Sequence, residues 1–426
     1  MSQDLYTSEA VKQPGAADGS SNGRRRPHYS SAFEAVVDGT KLHEEGDSYA
    51  IEHSLLRQEF TRYEDNTEGY TDDDPIWGRV CLLATLLNVL VKPYKAVMGW
   101  LAFRCPFEGL RDRLKRRSYL GPWELNFLLG WVVHPLLYQV REGVMTSEAL
   151  DIIDSINLVI EKPVTRGQRF ITYLLNQPEG QDVRNRLWAT YLVLQNELEY
   201  QWKCNTVDLP ASEPPPIIRG VSLACGSAVA HIEAVTKFKS EHLDAVDKNK
   251  IYLVDLNYPS LLRAKKLAEA RGLKTSRVYR CFGQVDERSA DVILVQQKLG
   301  EFLRSIPNAF FDYGEIVGWY DYQESVKIVE IADLLYLKLK KRGLVISAHI
   351  CPSPGQDVVE GLVGWPLLKR RTPERFYEIL NSSSWEVVDL YTVHFKHKVH
   401  AIAVQRKGGW IDAWDMEFLQ PMAIAA

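Results

Sequence analysis

The sequence predicts an α/β fold, with a mostly parallel sheet in the C-terminal half and an all-helical region before it. After residue 217, short β-rich runs alternate with helical segments, which is typical of βαβ units whose sheet is covered on both faces. Between residues 75 and 205 the apolar residues follow helical spacing, without strand-like alternation. The last two β-rich runs, WEVVDLYTV and VHAIAVQRK, are not separated by a helix, so the predicted seven-stranded sheet closes with an antiparallel hairpin.

The composition indicates a soluble globular chain of two or three domains. It has 426 residues, of which 46 % are hydrophobic and 25 % charged, and its net charge is 51 − 55 = −4. This balance gives no electrostatic reason to expect nucleic acid as a partner. The six cysteines form no CxxC pair, which argues against a zinc site and a disulfide framework. The polar N-terminus has no apolar signal core, so we expect a cytoplasmic protein.

Four segments follow from this organisation. We expect a mostly disordered tail over residues 1–70, a helical lid or substrate domain over 75–205, a proline-rich linker over 206–216, and a catalytic domain over 217–426. The apolar stretch within 79–103 looks membrane-like. Because Arg79, Lys92 and Lys95 break it, we expect a buried helix and no stable membrane insertion.

The first chemical signal is VSLACGSA, a strand that leads through a turn into a helix. Gly226, between the small residues Cys225 and Ser227, allows a ligand to approach the backbone closely. The amide-rich start of the following helix points at the same place. A small-residue turn is common on its own, and therefore this motif needs support from the next strands.

Polar residues at the ends of two further strands supply that support. Asp255 ends the run IYLVDLN, and a carboxylate at the carboxyl end of such a strand can accept hydrogen bonds from both hydroxyls of a ribose. Gln284 and Asp286 follow the run SRVYRCF, where they could bracket an adenine. Three such signals on successive strands predict a site for a nucleoside-containing ligand.

The residues favour S-adenosylmethionine (SAM) among such ligands. The turn has one glycine, whereas a dinucleotide site has GxGxxG, and Asp255 follows Gly226 by 29 residues rather than about 20. A GxxxxGK[ST] phosphate loop is absent from the sequence. SAM carries no phosphate and needs only a close backbone and a carboxylate for its ribose.

Residues 180–408 resemble class I SAM-dependent methyltransferases, in particular a bacterial group whose catalytic domain follows a helical segment. The resemblance is carried by VRNR, SLACGSA, VDLNYPSLLRAKKLAEARG, FDYGEIVGWYDY, LYLKLKKRGLVISAHI and the closing HKVHAIAVQRK. It implies a Rossmann-like sheet and cofactor-binding roles for twelve residues: Ser222, Ala224, Cys225, Gly226, Ser227, Asp255, Leu256, Asn257, Gln284, Val285, Arg184 and Asn185, with Arg186 as a third candidate for the SAM carboxylate.

Two positions depart from the family pattern. Ser222 stands where an acidic residue is usual, and Ala224 stands where the first glycine is usual. The placement of the SAM amino group therefore stays open.

The fourth strand ends in VGWYDYQE, which this fold places beside the sulfonium centre. Trp319 and Tyr322 offer aromatic faces to a cation and are the candidate substrate-binding residues, although both could simply cover the sheet edge. Tyr320 and Asp321 are the candidate catalytic residues, because either could orient an acceptor proton. The helical domain would then cover this site.

We therefore predict a SAM-dependent methyltransferase with a small-molecule acceptor. An alternative is attack on the aminocarboxypropyl arm of SAM, either by an acceptor or by its own amine to form azetidine-2-carboxylate, with release of methylthioadenosine. A third alternative is a SAM-binding protein without catalysis. No metal is expected, because the spacing of His394, His397 and His400 does not suit three-point ligation on one strand. The acceptor and the oligomeric state stay open.

Overall fold

The chain divides into two compact units. The sheet unit contains the described residues of Asn185–Cys351 and Lys369–Ala426, and the helical unit contains those of Leu55–Arg184 and Pro352–Leu368. The predicted tail, most of the predicted linker, His394 and His397 lie outside the described residues. The computed structural model describes residues 75–120, 122, 129, 135–142, 163, 165–175, 177–206, 215–242, 248–288, 290–353, 355–363, 365, 368–393 and 400–408.

The helical unit is built from helices throughout its described residues. Val80 and Ala84 of the first helix pack with Leu137, Ile171 and Leu174 from later ones, which forms its apolar core. One helix begins with a reciprocal cap, because Gln168 N donates to the Thr165 hydroxyl and Thr165 N donates to the Gln168 side chain. The helices are α1 (Pro75–Arg104), α2 (Glu108–Leu120), α3 (Pro135–Glu142), α4 (Arg166–Leu175) and α5 (Pro178–Thr206), the last of which contributes its residues from Asn185 onward to the sheet unit.

Helix α1 differs from the expectation of a buried helix. Its segment Leu82–Arg104 is long and apolar enough to cross a membrane by length and composition alone, and almost none of it is buried. No other helix among the described residues meets that test. Core helices of other proteins also meet it, so the finding by itself places the chain in no compartment.

Within the described residues the sheet unit contains eight strands and the helices that cover them. The strands are β1 (Ile218–Leu223), β2 (Asn249–Asp255), β3 (Thr275–Tyr279), β4 (Val292–Gln296), β5 (Phe311–Val317), β6 (Leu339–Ile350), β7 (Glu386–Val393) and β8 (His400–Arg406). The helices are α6 (Val229–Glu241), α7 (Tyr258–Ala270), α8 (Leu299–Ser305), α9 (Ser325–Lys338) and α10 (Pro373–Asn381).

All eight strands belong to one sheet in the order β3-β4-β2-β1-β5-β6-β8-β7. The first six strands in chain order pair in parallel, and β8 runs antiparallel to both β6 and β7. This order is a Rossmann-like methyltransferase sheet with one strand added at the β3 edge, so the predicted fold class is confirmed. The chain moves from β1 to one side of the sheet and returns to β5 on the other side. The carboxyl ends of β1 and β5 therefore flank the switch point where such sheets bind ligands.

Strand β4 was not predicted. Its sequence VILVQ is a continuous run of buried Val, Ile and Leu residues, the pattern of a central parallel strand covered on both faces. It lies between β2 and β3, whereas the sequence analysis treated β3 as the next strand after β2. This changes which residues lie beside the end of β2.

Candidate functional site

The loop after β1 is backbone-strained. Ala224, Gly226 and Ala228 all have positive φ angles of 52°, 55° and 53°. Only glycine adopts this left-handed region without a steric penalty, so both alanines are held there by their surroundings. Ala224 thus keeps the conformation of the glycine that it replaces in the family pattern. Strain of this kind is concentrated at ligand-binding sites.

Asp255 ends β2 beside that loop. Its Oδ2 accepts a hydrogen bond from Gly226 N at 3.0 Å, and its Oδ1 accepts one from Asn257 N at 2.7 Å. Burial raises the pKa of the Asp255 carboxyl, although backbone N–H groups act in the opposite direction. A carboxylate has about four acceptor positions, so Asp255 keeps capacity for the hydroxyl groups of a ligand. The side chain is only partly buried, and it joins the β1 loop to the start of α7.

Leu256 and Asn257 follow at the same edge. Leu256 is exposed, and its carbonyl accepts a hydrogen bond from Gln296 Nε2 at 3.1 Å. The Asn257 side chain accepts from Ser260 N at 3.1 Å and caps α7. Asn257 therefore contributes to the site by fixing Asp255 and the helix rather than through a free side chain.

The residues beside the end of β2 come from β4. Gln296 is the register partner of Asp255, and Gln297 follows it. The side-chain oxygen of Gln297 is buried, and no donor among the described residues reaches it. Gln284 and Val285 instead follow β3, which β4 separates from β2. Their place beside the adenine stays a prediction, and the structure adds Gln296 and Gln297, which follow from β4 beside β2 and which the run VILVQQ could have indicated.

A buried carboxylate faces the position where the family pattern has one. Ser222 of β1 pairs in register with Glu315 of β5, and the Ser222 hydroxyl donates to Glu315 Oε1 at 2.6 Å. His231 Nδ1 of α6 lies 3.4 Å from the same oxygen. The acidic group absent from β1 is thus present on the neighbouring strand. No local sequence signal links residues 222 and 315, which lie 93 positions apart.

Cys225 precedes Gly226 in the β1 loop. Burial raises the pKa of its thiol well above the usual value, and the negative charges of Asp255 and Glu315 act in the same direction. These effects disfavour the thiolate form that a cysteine nucleophile needs.

The predicted catalytic residues after β5 are buried. Tyr320 is completely buried, its ring packs against Phe376 and Trp319, and burial raises the pKa of its hydroxyl. Trp319 is partly buried and packs on the sheet core, and Tyr322 is also partly buried. These positions favour packing over catalysis for Tyr320 and packing over substrate binding for Trp319.

Asp321 joins three segments of the sheet unit. Its Oδ1 accepts from Ile350 N at 2.7 Å and lies 3.1 Å from His349 Nδ1. Its Oδ2 lies 3.7 Å from Arg186 Nη1, and both side chains are buried. These partners favour a positioning role for Asp321 over that of a free base, and its catalytic role stays a prediction.

Further polar side chains lie near His349 at the end of β6. Arg371 Nη1 lies 3.3 Å from His349 Nε2, and His400 begins the strand paired with the end of β6. Burial lowers the pKa of His400 well below the usual value, and the positive charge of Arg186 acts in the same direction. Sequence analysis did not identify His349 or Arg371. The available signal for His349 was its polar side chain in the run SAHI, at the end of a buried strand.

The three residues proposed for the SAM carboxylate have different positions. Arg186 lies beside Gly318, where a side-chain Cβ would come within 3.5 Å of its Nη1. Asn185 is buried in the sheet unit, and its side-chain oxygen accepts no hydrogen bond from a described residue. Arg184 belongs to the helical unit, where it donates to the Leu175 carbonyl at 3.3 Å. Arg186 and Asn185 remain candidates within the sheet unit.

No family model matches the sequence, and no curated protein matches it. A possible exported protein from Bordetella parapertussis is similar over 79 % of this chain and 99 % of its own, at 13 % identity and a TM-score of 0.44. Magnesium protoporphyrin IX methyltransferase from Synechocystis PCC 6803, solved with bound SAM, is similar over 54 % and 83 %, at 10 % identity and a TM-score of 0.33. The 1,6-didemethyltoxoflavin-N1-methyltransferase from Burkholderia thailandensis, solved with S-adenosylhomocysteine, is similar over 50 % and 78 %, at 12 % identity and a TM-score of 0.32. Likeness at this level leaves the chemistry of this chain to be argued from its own residues.

Proposed function

We propose that the sheet unit binds SAM and transfers its methyl group to a small-molecule acceptor. The observation that carries this proposal is Asp255, held at the carboxyl end of β2 by Gly226 N and Asn257 N with acceptor capacity left over. A ribose presents two adjacent hydroxyl donors, which this carboxylate can accept. The strained β1 loop beside it allows close backbone approach without the glycine pattern of a dinucleotide site.

The amino group of SAM is assigned to Glu315. This carboxylate pairs with Ser222, which stands where the resemblance expects an acidic residue. An ammonium group is a natural partner of a buried carboxylate, because it supplies both charge and hydrogen-bond donors. His231 and Ser222 then hold Glu315 in place.

The adenine is assigned to the ends of β2 and β4. Leu256 supplies an exposed apolar side chain, and Gln297 supplies a buried oxygen that lacks a donor among the described residues. The exocyclic amino group of adenine is a donor of the required kind. A buried acceptor without a partner is costly, so binding of such a ligand would relieve that cost.

Methyl transfer is preferred over attack on the aminocarboxypropyl arm. SAM supplies a reactive methyl group when bound, and the chain's task is to align the acceptor with it. The alternative reaction rests on Ser222, which supplies no carboxylate to hold the SAM amino group. Glu315 would supply that carboxylate from the neighbouring strand. The buried contacts of Asp321 with Arg186 and His349 fix the loop that follows β5, near which we place the acceptor.

Calorimetric titration of the full chain tests the SAM site. We expect SAM and S-adenosylhomocysteine to bind and NAD to give no heat. Asp255→Ala removes two charge-assisted hydrogen bonds of about 1.5–3 kcal/mol each and should weaken SAM binding at least about a hundredfold. Asp333→Ala is the matched control, because Asp333 lies on α9 and accepts a backbone hydrogen bond from Ser384 N. Equal affinity of both variants for SAM would refute the assignment.

Mass spectrometry after incubation with SAM alone tests the reaction. Methyl transfer predicts no turnover until an acceptor is added, and then S-adenosylhomocysteine. Methylthioadenosine formed without an acceptor, together with a cyclic amino acid, would establish the alternative reaction instead.

A further inference from the structure

Helix α1 presents an apolar surface that no described residue covers. We define the α1 face as Leu82, Leu86, Leu90, Val97, Trp100 and Phe103, all of which are exposed; Leu90 is 74 % and Phe103 is 88 % exposed. The opposite side of the helix holds Val80 and Ala84, which are buried in the core of the helical unit. The helix is therefore anchored on one side and apolar on the other. Exposed apolar surface of this extent marks a binding surface.

Helices α1 and α2 together carry a strong positive charge. Residues 75–120 contain nine Lys and Arg residues and two Asp and Glu residues, a net charge of 9 − 2 = +7 in a chain whose total is −4. Arg111, Arg113 and Lys115 of α2 are exposed, and α2 packs against α1. The apolar face thus lies in a strongly basic part of the chain.

We propose that the α1 face docks on the surface of a lipid bilayer that contains anionic headgroups. Leucine, tryptophan and phenylalanine side chains bordered by lysine and arginine are the composition of helices that lie in a membrane interface. The Arg104 guanidinium lies over the Trp100 ring, 5.0 Å from its centroid, a pair with one apolar and one charged end. The positive charge favours an anionic lipid surface over a second copy of this chain, because two such regions would repel each other.

The helix lies on the bilayer and does not cross it. Lys92, Pro93 and Lys95 fall near the middle of Leu82–Arg104, where a crossing helix would carry two charges at the bilayer centre. A helix in the interface keeps these ammonium groups at headgroup depth.

Flotation of the full chain with vesicles tests this proposal. One vesicle type is pure phosphatidylcholine, and the other also contains phosphatidylglycerol. We expect binding to the anionic vesicles and weaker binding to the neutral ones. Leu86→Glu with Leu90→Glu should lower the partition coefficient at least about tenfold. Val326→Glu is the matched control, since Val326 is 82 % exposed on α9 of the sheet unit and should change nothing. Circular dichroism confirms that each variant is folded.

Four results would overturn the proposal. The first is absence of the wild-type chain from both floated fractions. The second is unchanged flotation of the double variant, which would mean that charge alone binds the vesicles. The third is resistance of the bound chain to alkaline extraction, which would mean that α1 spans the bilayer. The fourth is a wild-type dimer that the double variant abolishes in light scattering, with no vesicle binding, which would assign the α1 face to a second copy.

Discussion

Asp255 and Asp321 both lie at the carboxyl ends of parallel strands, β2 and β5, of one sheet. Their surroundings differ. Asp255 is partly buried and receives backbone N–H groups that leave acceptor positions available. Asp321 is buried, and its two oxygens already face Ile350 N, His349 and Arg186. We infer from this difference that a carboxylate at a strand end can accept hydrogen bonds from a ligand only where the protein's own donors leave acceptor positions on its oxygens unoccupied.

The largest expected effect is on stability, at Asp321. Asp321→Ala leaves the buried Arg186 guanidinium and Ile350 N without their carboxylate partner. Loss of one partner from a buried pair typically costs about 3–5 kcal/mol, and we expect the free energy of unfolding in urea to fall by that amount. Asp255→Ala should lower it much less. If Asp321→Ala unfolds like the wild type but loses turnover, Asp321 acts on the acceptor and the contrast with Asp255 fails.

The sequence predicted the location of Asp255 but not the surroundings of Asp321. A carboxylate after a buried strand of a βαβ unit can be placed at the ligand-binding edge from chain order alone. The partners that occupy the Asp321 oxygens come from the end of β6 and from α5, which lie far away along the chain. Such contacts follow from sheet order and register, which local patterns do not encode.

The second expected effect is on SAM affinity, at Glu315. Glu315→Gln keeps an oxygen for the Ser222 hydroxyl but removes the charge that would face the ammonium group. A hydrogen bond to a charged group contributes about 1.5–3 kcal/mol, so SAM affinity should fall about ten- to a hundredfold. Methylthioadenosine has no amino acid portion, and its affinity should stay unchanged.

Ser222→Ala is the matched control for Glu315→Gln, because it removes the hydroxyl and leaves the carboxylate. We expect a smaller loss of SAM affinity in this variant. An equal loss of SAM and methylthioadenosine affinity in Glu315→Gln would mean that Glu315 supports the fold and not the ammonium group.

The third effect tests which strand borders the adenine. Gln297→Ala should weaken SAM binding about two- to tenfold, the range of one neutral hydrogen bond. Gln284→Ala should leave the affinity unchanged, because Gln284 follows β3, beyond β4. Calorimetry on both variants measures this contrast, and a loss at Gln284 alone would restore the adenine site that the sequence predicted.

Strand β4 explains why the sequence did not single out Gln296 and Gln297. The seven β-rich runs that the sequence analysis identified all form strands. In the sequence analysis the five-residue run VILVQ falls in the connection between β3 and β5. In the structure this run is β4, which lies in the sheet interior, whereas β3 lies at the sheet edge. Periodicity does not distinguish a short apolar run of this kind from a helix segment. Only the sheet order shows that Gln297 follows the strand next to β2, whereas Gln284 follows the edge strand.

The smallest effect concerns the strain in the β1 loop, which belongs to the ligand side of the sheet edge. Ala224 has a φ of 52°, a conformation that costs about 1–2 kcal/mol for an L-residue other than glycine. Ala224→Gly removes that cost, but glycine also adds freedom to the unfolded chain, so the net gain in the free energy of unfolding should be about 0.5–1 kcal/mol. Urea unfolding measures the gain, and calorimetry should find SAM affinity within about twofold of the wild type, because the backbone geometry that faces the ligand is kept. Ala234→Gly in the interior of α6 is the matched control and should destabilise by at least roughly 0.5–1 kcal/mol, since glycine is unfavourable there. Destabilisation by both substitutions would mean that residue 224 does not need the left-handed conformation, and the loop would then lose its likeness to the glycine turn of SAM-binding sheets.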